Sequence, residues 1–420
     1  MCVAWARLEG KVVFVRNALP GERVLAKLTY GKRHFFEATA VEILEASSER
    51  VTPPCAHANV CGGCSLQHWR SDKQIEQKQA VLAEQLQHFG GLMPEQGFLP
   101  PLLGPTEQYR RKARLACKYV RARERVFVGF REAASHYVTD VSACAVLDER
   151  VSRLLPALSV MMTGLDAREK IPQIEVAVGD DEIAFVVRHL EPLTDSDRQA
   201  WVKFCQSEGI TLYLQSGGVD TVCQIWPEAG AERLVTRIPE LDLTYSFHPL
   251  DFLQVNKSIN DQLVLLALDL LDVQATDRVL DLFSGLGNFT LPLARRAQAV
   301  TGVEVSATMV SRGRENAAQN GLKNVSFFQT DLTQAFEQQP WFGVYDKVLI
   351  DPPRSGAAEV VSRIAALNPR RVVYVSCNPA TLARDVSLLA QAGYRLQKAG
   401  VLDMFPHTMH VESIAVLARS

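Results

Sequence analysis

Four hundred and twenty residues, 47% hydrophobic and 22% charged, exceed what one core requires; they exclude a disordered, collagenous or small disulfide-stapled chain and predict two or three domains. Forty-five Lys and Arg against 47 Asp and Glu leave a net charge of −2, which argues against coating nucleic acid through overall charge while leaving room for a local basic surface. Nine Cys, an odd number in a long chain, point away from a secreted disulfide framework and towards a thiol or metal role in a reducing compartment. The opening residues carry charge at Arg7 and Glu9 and lack the unbroken apolar core of a signal peptide. No apolar run approaches the ~20 residues that span a bilayer, so a cytoplasmic, soluble protein is expected, with no membrane partner.

Residues 1–45 alternate apolar and polar in short runs, Lys11-Val-Val-Phe-Val15 and then Arg23-Val-Leu-Ala-Lys27, with turn signals at Pro20-Gly21 and Tyr30-Gly31. They predict a small β module. The stretch 46–68 lacks periodicity, holds three Cys and the Pro53-Pro54 pair, and predicts an irregular loop. Ile75, Gln79, Leu82 and Leu86 then fall at helical spacing, which predicts a helix over 71–89. From Tyr109 to Arg131 nine basic residues face one acid, Glu124. Alternating Ala113, Leu115, Cys117 and Tyr119 put these charges mainly on the open face of a strand pair with apolar residues behind, a surface of the kind that meets phosphate groups.

Strands and helices continue to about 245 without an evident motif, and from about 250 strands alternate with helices. Five apolar runs, Arg278–Phe283, Ala299–Glu304, Val325–Phe328, Lys347–Asp351 and Arg371–Ser376, predict a doubly wound parallel sheet of the α/β class. The expected division is therefore 1–45, 46–245 and 246–420.

The chemistry sits at the ends of those strands. The first runs into Asp281-Leu-Phe-Ser-Gly285-Leu-Gly287-Asn-Phe-Thr, where glycines let a ligand approach the backbone at a strand-to-helix turn. Glu304, nineteen residues beyond Gly285, ends the next strand, where a ribose diol would be held. The missing third glycine favours S-adenosylmethionine over a dinucleotide. Asp331 and Asp351 follow the third and fourth strands, so three acids are expected to line one crevice. At the fifth strand's end stands Ser376-Cys377-Asn378-Pro379. Only the thiolate attacks, and a free Cys, with pKa about 8.5, needs a cation or a helix N-terminus to lower it. Asn378-Pro379 opens a helix that supplies the latter.

Ser376-Cys-Asn-Pro-Ala-Thr-Leu-Ala-Arg-Asp385, together with Asp351-Pro-Pro-Arg354 and His410-Val-Glu412-Ser, resembles the RNA uracil-C5-methyltransferase family, in particular its 23S rRNA branch. The resemblance extends over nearly the whole chain. It implies a Rossmann-like S-adenosylmethionine-dependent methyltransferase domain preceded by a TRAM-like, OB-like barrel and a central α+β domain. By motif, Cys377 would be the nucleophile and Glu412 the general base; Gln254, Phe283, Asn288, Glu304, Asp331 and Asp351 would hold the cofactor or lie beside the target base. Ser284 stands where relatives commonly carry Cys, and the β module lacks the strand and glycine-rich turn with which the family's module begins.

Cys55-x5-Cys61-Gly-Gly-Cys64 supplies three thiolates from one loop, and Cys144 fits as a fourth. Four Cys suit zinc or a [4Fe–4S] cluster; three close and one distant favour iron–sulfur, as the resemblance also implies. Cys117 reads as core, while Cys2, Cys205 and Cys223 carry no signal. The expected activity is formation of 5-methyluridine in 23S rRNA by a monomer, on a single-stranded or loop uridine flipped into the pocket. Its competitors are methylation of the tRNA T-loop uridine and a non-catalytic role in RNA binding and ribosome assembly.

Overall fold

The computed structural model describes residues 4–230 and 232–419; Cys2 lies outside them. Four strands come first, β1 (Ala4–Leu8), β2 (Lys11–Arg16), β3 (Arg23–Gly31) and β4 (Phe35–Glu45), ordered β1-β2-β4-β3. Their interior is small, built from Ala4, Val13, Val15, Ala18 and Ala38, as suits a small barrel module of this length. An irregular cysteine-bearing segment leads to the helix α1 (Ser71–Gly90), which begins and ends within a residue or so of the periodic stretch. Its apolar stripe, Ile75, Leu82 and Leu86, packs into the core of the C-terminal sheet.

Next come β5 (Lys112–Val120), β6 (Arg125–Gly129), α2 (Glu149–Ser152), α3 (Leu155–Thr163), β7 (Gln173–Val178), β8 (Ile183–Arg188), α4 (Asp195–Glu208), β9 (Ile210–Gln215) and β10 (Val222–Trp226). They form a six-stranded sheet ordered β10-β9-β8-β7-β5-β6. Its one parallel pair, β8 and β9, is the pair whose connection contains a full-length helix, as a parallel crossover requires. A hairpin of β11 (Leu234–Ile238) and β12 (Leu243–Phe247) follows.

The C-terminal part contains α5 (Lys257–Leu271), β13 (Arg278–Leu282), α6 (Thr290–Ala294), β14 (Ala299–Glu304), α7 (Ala307–Gln319), β15 (Val325–Gln329), β16 (Lys347–Ile350), α8 (Ala358–Val361), α9 (Ile364–Leu367), β17 (Arg371–Ser376), α10 (Pro379–Gln391), β18 (Tyr394–Leu402) and β19 (Glu412–Arg419). The sheet is ordered β15-β14-β13-β16-β17-β19-β18. The five expected strands are parallel, while β19 runs antiparallel to both β17 and β18. Both faces are covered: Val279 faces a layer containing α5, and Leu280 and Leu282 face one containing α1 and α10. That two-sided burial is why these strands read as continuous apolar runs. Strand order reverses between β13 and β16, and a crevice opens there at the carboxyl ends of the strands.

Candidate active site

The turn after β13 is tightly held. Phe283 adopts φ 66°, a left-handed conformation costly for an aromatic residue, and its N–H and that of Ser284 both donate to the Val303 carbonyl, at 2.9 and 3.0 Å. At Gly285, φ is 54°, and nothing lies within 4 Å of where a Cβ would stand, so the turn leaves open space above its backbone. The Glu304 carboxylate accepts from the amides of Gly285, at 3.1 Å, and Ser306, at 2.9 Å, which fixes it beside that turn. Beneath lies Asp281, which accepts from the Thr290 hydroxyl; burial pushes its carboxyl up to about 8. Asp281 Oδ1 and the buried Ser284 hydroxyl have no partner among the described residues. An open glycine turn, an oriented carboxylate and unpaired polar atoms fit a polar nucleoside ligand such as S-adenosylmethionine.

Asn288, at the far end of the turn, exchanges two hydrogen bonds with Asn260 of α5, at 2.9 and 3.1 Å. With Gln254 it lines a cavity between α5, the β11–β12 hairpin and the turn. Gln254 precedes the N-cap Asn256, whose side chain accepts from the Ile259 amide. Asp331 is placed differently: exposed beyond the edge strand β15, its carboxylate accepts from the Thr333 amide, at 2.9 Å, and hydroxyl, at 2.7 Å. It stabilises its own turn, whereas Glu304 and Asp351 flank the switch point.

Cys377 directly follows β17, and the Asn378 side chain caps α10 by accepting from the Ala380 amide at 3.1 Å. Pro379 at the first helical position completes the expected start. The Asn378 amide group also donates to the Arg354 carbonyl at 3.0 Å, joining this cap to the Asp351-Pro-Pro-Arg loop. Gly356 in that loop has φ 80°, and a Cβ there would lie 2.5 Å from Arg384 and 2.6 Å from the Asp385 carboxylate. That close approach lets buried Asp385 accept from the Ala357 amide at 2.7 Å and the Tyr374 hydroxyl at 2.6 Å.

Electrostatics bind Cys377, Asp351, Glu412 and Arg354 into one site. Burial pushes Asp351 up to about 7. Burial also raises Glu412 well above the carboxylate range, reinforced by Asp351 and opposed by Arg354. The expected lowering of the thiol is not met: burial, Glu412 and Asp351 together lift Cys377 above its ordinary value, and the positive charge of Arg354 offsets only part. Burial is the largest of these effects, and the two acids add to it. Arg354 stands within a motif that carries no sign of this role; its influence on Cys377 depends on tertiary structure.

The four cysteines of the expected cluster, Cys55, Cys61, Cys64 and Cys144, line one cavity of about 970 Å³. The same cavity is bounded by Phe14, Arg16 and Phe35 of the β module and by Arg354 and His410 of the candidate active site. A Cβ on Gly62 would sit 2.9 Å from the Arg131 carbonyl, so glycine there permits the tight wrap. Burial raises Cys61, Cys144 and Cys64, the last to about 12, and the neighbouring thiols add to each shift. Among the described residues, no three His, Cys, Asp or Glu side chains stand in metal-holding arrangement. A set of soft donors whose ionised forms repel one another fits a cationic iron or zinc group chemically. Cys117 and Cys205 are buried in the core, as expected for Cys117.

Part of the basic segment is paired with acids. Arg111 pairs with Asp180, Arg114 with Glu175, Arg121 with Glu169 and Arg125 with Asp140. Lys112 is turned inward, donating to the Pro249 carbonyl at 2.6 Å and the Asp251 carbonyl at 2.7 Å. Acids elsewhere in the chain thus answer four of the nine cations, while Lys118 and Arg123 stay exposed. Arg110 and Arg131 remain as walls of the large cavity. Substituting Arg110 and Arg131 by Ala is expected to weaken RNA binding and lower the salt slope by roughly one to two. An Arg121, Arg125 double Ala variant is expected to change the slope little. RNA affinity at several salt concentrations separates the two.

This open α/β sheet, with a glycine turn and oriented acid after its first strands, is that of an S-adenosylmethionine-dependent methyltransferase. The tRNA (Uracil-5-)-methyltransferase family profile matches residues 70–420, and the chain belongs to that family. Three relatives carry the name 23S rRNA (uracil(1939)-C(5))-methyltransferase RlmD. That of Alcanivorax borkumensis is 53% identical, covering 99% of this chain and 93% of its own. That of Alkalilimnicola ehrlichii is 51% identical over the same shares. That of Hahella chejuensis is 48% identical over 98% and 93%. Among solved structures, Pyrococcus abyssi tRNA (uracil-54, C5)-methyltransferase in complex with S-adenosyl-L-homocysteine superposes with a TM-score of 0.74 at 24% identity, covering 99% of this chain and 97% of that one, which shows the shared fold. No helix among the described residues is long and apolar enough to cross a membrane.

Proposed function

We propose that this chain methylates C5 of a uracil in 23S rRNA, giving 5-methyluridine, with S-adenosylmethionine as methyl donor. The carrying observation is that Cys377 after β17, Asp351 and Arg354 after β16, and Glu412 at the start of β19 are coupled electrostatically beside the switch point of a methyltransferase sheet. The substrate follows from the three relatives' shared name over nearly the whole chain.

C5 of uracil is too poor a nucleophile to accept a methyl group unaided. In this reading the Cys377 thiolate adds to C6, forming a C–S bond and moving the ring's electron pair to the C4 oxygen as an enolate, whose C5 can then be methylated. Covalent catalysis thereby splits one difficult step into two. Glu412 then removes the C5 proton; the released pair re-forms C5=C6 and expels the thiolate. Bound S-adenosylmethionine supplies an electrophilic methyl group. Glu304, Phe283, Asn288 and Gln254, with Asp331 at the rim and Asp351 nearer the base, would hold it and its neighbour in register. A stacked uracil cannot present C6 to Cys377, so the target is a loop nucleotide flipped at a cost of a few kcal/mol.

In this reading residues 1–45 form the RNA-binding β module, 46–245 the cysteine loop and central part, and 246–420 the catalytic part, acting as a cytoplasmic monomer. Cys55, Cys61, Cys64 and Cys144 would hold a [4Fe–4S] cluster that cross-links the loop to the segment after β6. Anaerobically purified protein is expected to be brown, with about four irons per chain. Cys144→Ser should lose the metal and Cys117→Ser should keep it; zinc in the metal analysis would overturn the assignment.

The tRNA T-loop uridine is the second reading, favoured by the family profile's description and the fold neighbour. Assaying methyl transfer to 23S rRNA and tRNA transcripts, and mapping 5-methyluridine in both RNAs from a deletion strain, decides between them. Loss confined to tRNA would sink the rRNA assignment.

A further inference from the structure

Arg354 faces two groups of the site. Its positive charge favours the Cys377 thiolate, and its Nη2 lies 3.1 Å from Nδ1 of His410. A guanidinium has only donors, so the second contact requires Nδ1 to be the accepting nitrogen and His410 to be neutral. The surroundings enforce that form: burial and the positive charges of Arg354, Lys78 and Arg110 pull His410 below its ordinary value. Its ring packs edge-on against Phe405, with centroids 5.5 Å apart.

Residues 403–411, the connection between β18 and β19, carry this imidazole and lead into Glu412. They are pinned from the N-terminal third. Lys78 of α1 donates to Asp403 at 2.7 Å and to the Phe405 carbonyl at 2.9 Å. The Tyr109 hydroxyl donates to the Pro406 carbonyl at 3.1 Å. Gln74 of α1 accepts from the His407 amide at 3.0 Å, and the amides of Ser65 and Leu66, next to Cys64, donate to the His407 carbonyl at 2.9 and 3.0 Å. On the opposite side, Asn378 and Thr381 hold only the Arg354 backbone carbonyl. Its long side chain needs a second anchor to point at the thiol.

We propose that His410 is a positioning residue that, as a neutral imidazole on a hairpin clamped by α1 and the cysteine loop, holds Arg354 against Cys377 so that the thiol reacts as a thiolate. The inference rests on Cys377 being the nucleophile. It assigns the N-terminal third a part in the adduct-forming step besides binding RNA.

The test uses the full-length protein, His410→Ala and His410→Phe, and His410→Asn, whose amide oxygen can replace Nδ1 as acceptor. The first readout is the rate of covalent complex formation with 23S rRNA transcribed with 5-fluorouridine, which has no C5 proton to lose and so arrests the reaction after methyl transfer. The second is the pH dependence of Cys377 alkylation by iodoacetamide, set by Arg354 against Asp351 and Glu412. The third is S-adenosylmethionine affinity. His410→Ala and His410→Phe are expected to slow complex formation roughly tenfold to a hundredfold, the worth of one hydrogen bond to a charged group, and to move thiol alkylation to higher pH. His410→Asn should recover most of both, and cofactor affinity should hold in all three. Wild-type rates and an unmoved thiol titration in the folded Ala or Phe variant would overturn the proposal. So would equal impairment of all three variants with cofactor affinity lost, which marks a merely structural residue. Failure of the wild-type protein itself to form the complex would instead overturn the reading of Cys377.

Discussion

Replacing Cys377 by Ala is expected to reduce methyl transfer by roughly four orders of magnitude or more, the scale on which loss of a covalent nucleophile is felt. The change removes the one group able to raise electron density at C5, and nothing else in the crevice can substitute: Asp351 and Glu412 are carboxyls, and Arg354 is a cation. S-adenosylmethionine binding should stay within about twofold, because the turn at Phe283–Asn288 and the Glu304 carboxylate are held by their own backbone contacts and not by the thiol. Calorimetric titration with the cofactor, alongside turnover on 23S rRNA, checks both halves. Appreciable methyl transfer by the Ala variant would falsify the nucleophile assignment; lost cofactor binding would show that the thiol supports the crevice instead.

Glu412→Gln should fail at a different stage. Addition at C6 and methylation of C5 need no base, whereas elimination does, so a methylated covalent enzyme–RNA complex is expected to accumulate while turnover falls about 10²- to 10⁴-fold. A denaturing gel with labelled RNA reports the complex, and normal turnover without it would remove Glu412 from the base role. The pH dependence follows from burial. The folded protein holds Glu412 well above the ordinary carboxylate range, and a general base acts only when ionised. Elimination should therefore rise with pH through that elevated value. Cys377 is also raised, so adduct formation should climb in the same direction. Single-turnover methyl transfer by Glu412→Gln isolates the thiol's part of the profile.

Much of the architecture was legible locally. Val279, Leu280 and Leu282, or Val372 to Val375, announce strands because a parallel sheet covered on both faces needs apolar residues at successive positions. The glycines after β13, the Asn378-Pro379 helix start and the spacing of Ile75, Leu82 and Leu86 each reflect interactions within a few residues, which a linear pattern can carry. Motifs singled out Cys377 and Glu412, and the structure couples both to Asp351 and Arg354. The antiparallel turn of β19 and the order of the six-stranded sheet were not legible, because strand pairing is settled by partners far along the chain.

Charge shows the boundary most plainly. Nine cations between Arg110 and Arg131 predicted a phosphate-binding face, yet Glu169, Glu175, Asp140 and Asp180, recruited from other elements, answer four of them and leave Arg110 and Arg131 at the cavity. The thiol behaved likewise: an adjacent helix start predicted a lowered Cys377, and burial, with Glu412 of β19 and Asp351 just after β16, raised it. The sequence by itself determined which residue types stand at each turn, cap and strand end, since backbone propensity and burial pattern act over short range. Tertiary structure alone decided which ionisable groups face one another, as with Arg354 between Cys377 and His410. Electrostatic energy depends on separation in space and on water excluded by packing, and neither is written in the spacing of residues along the chain.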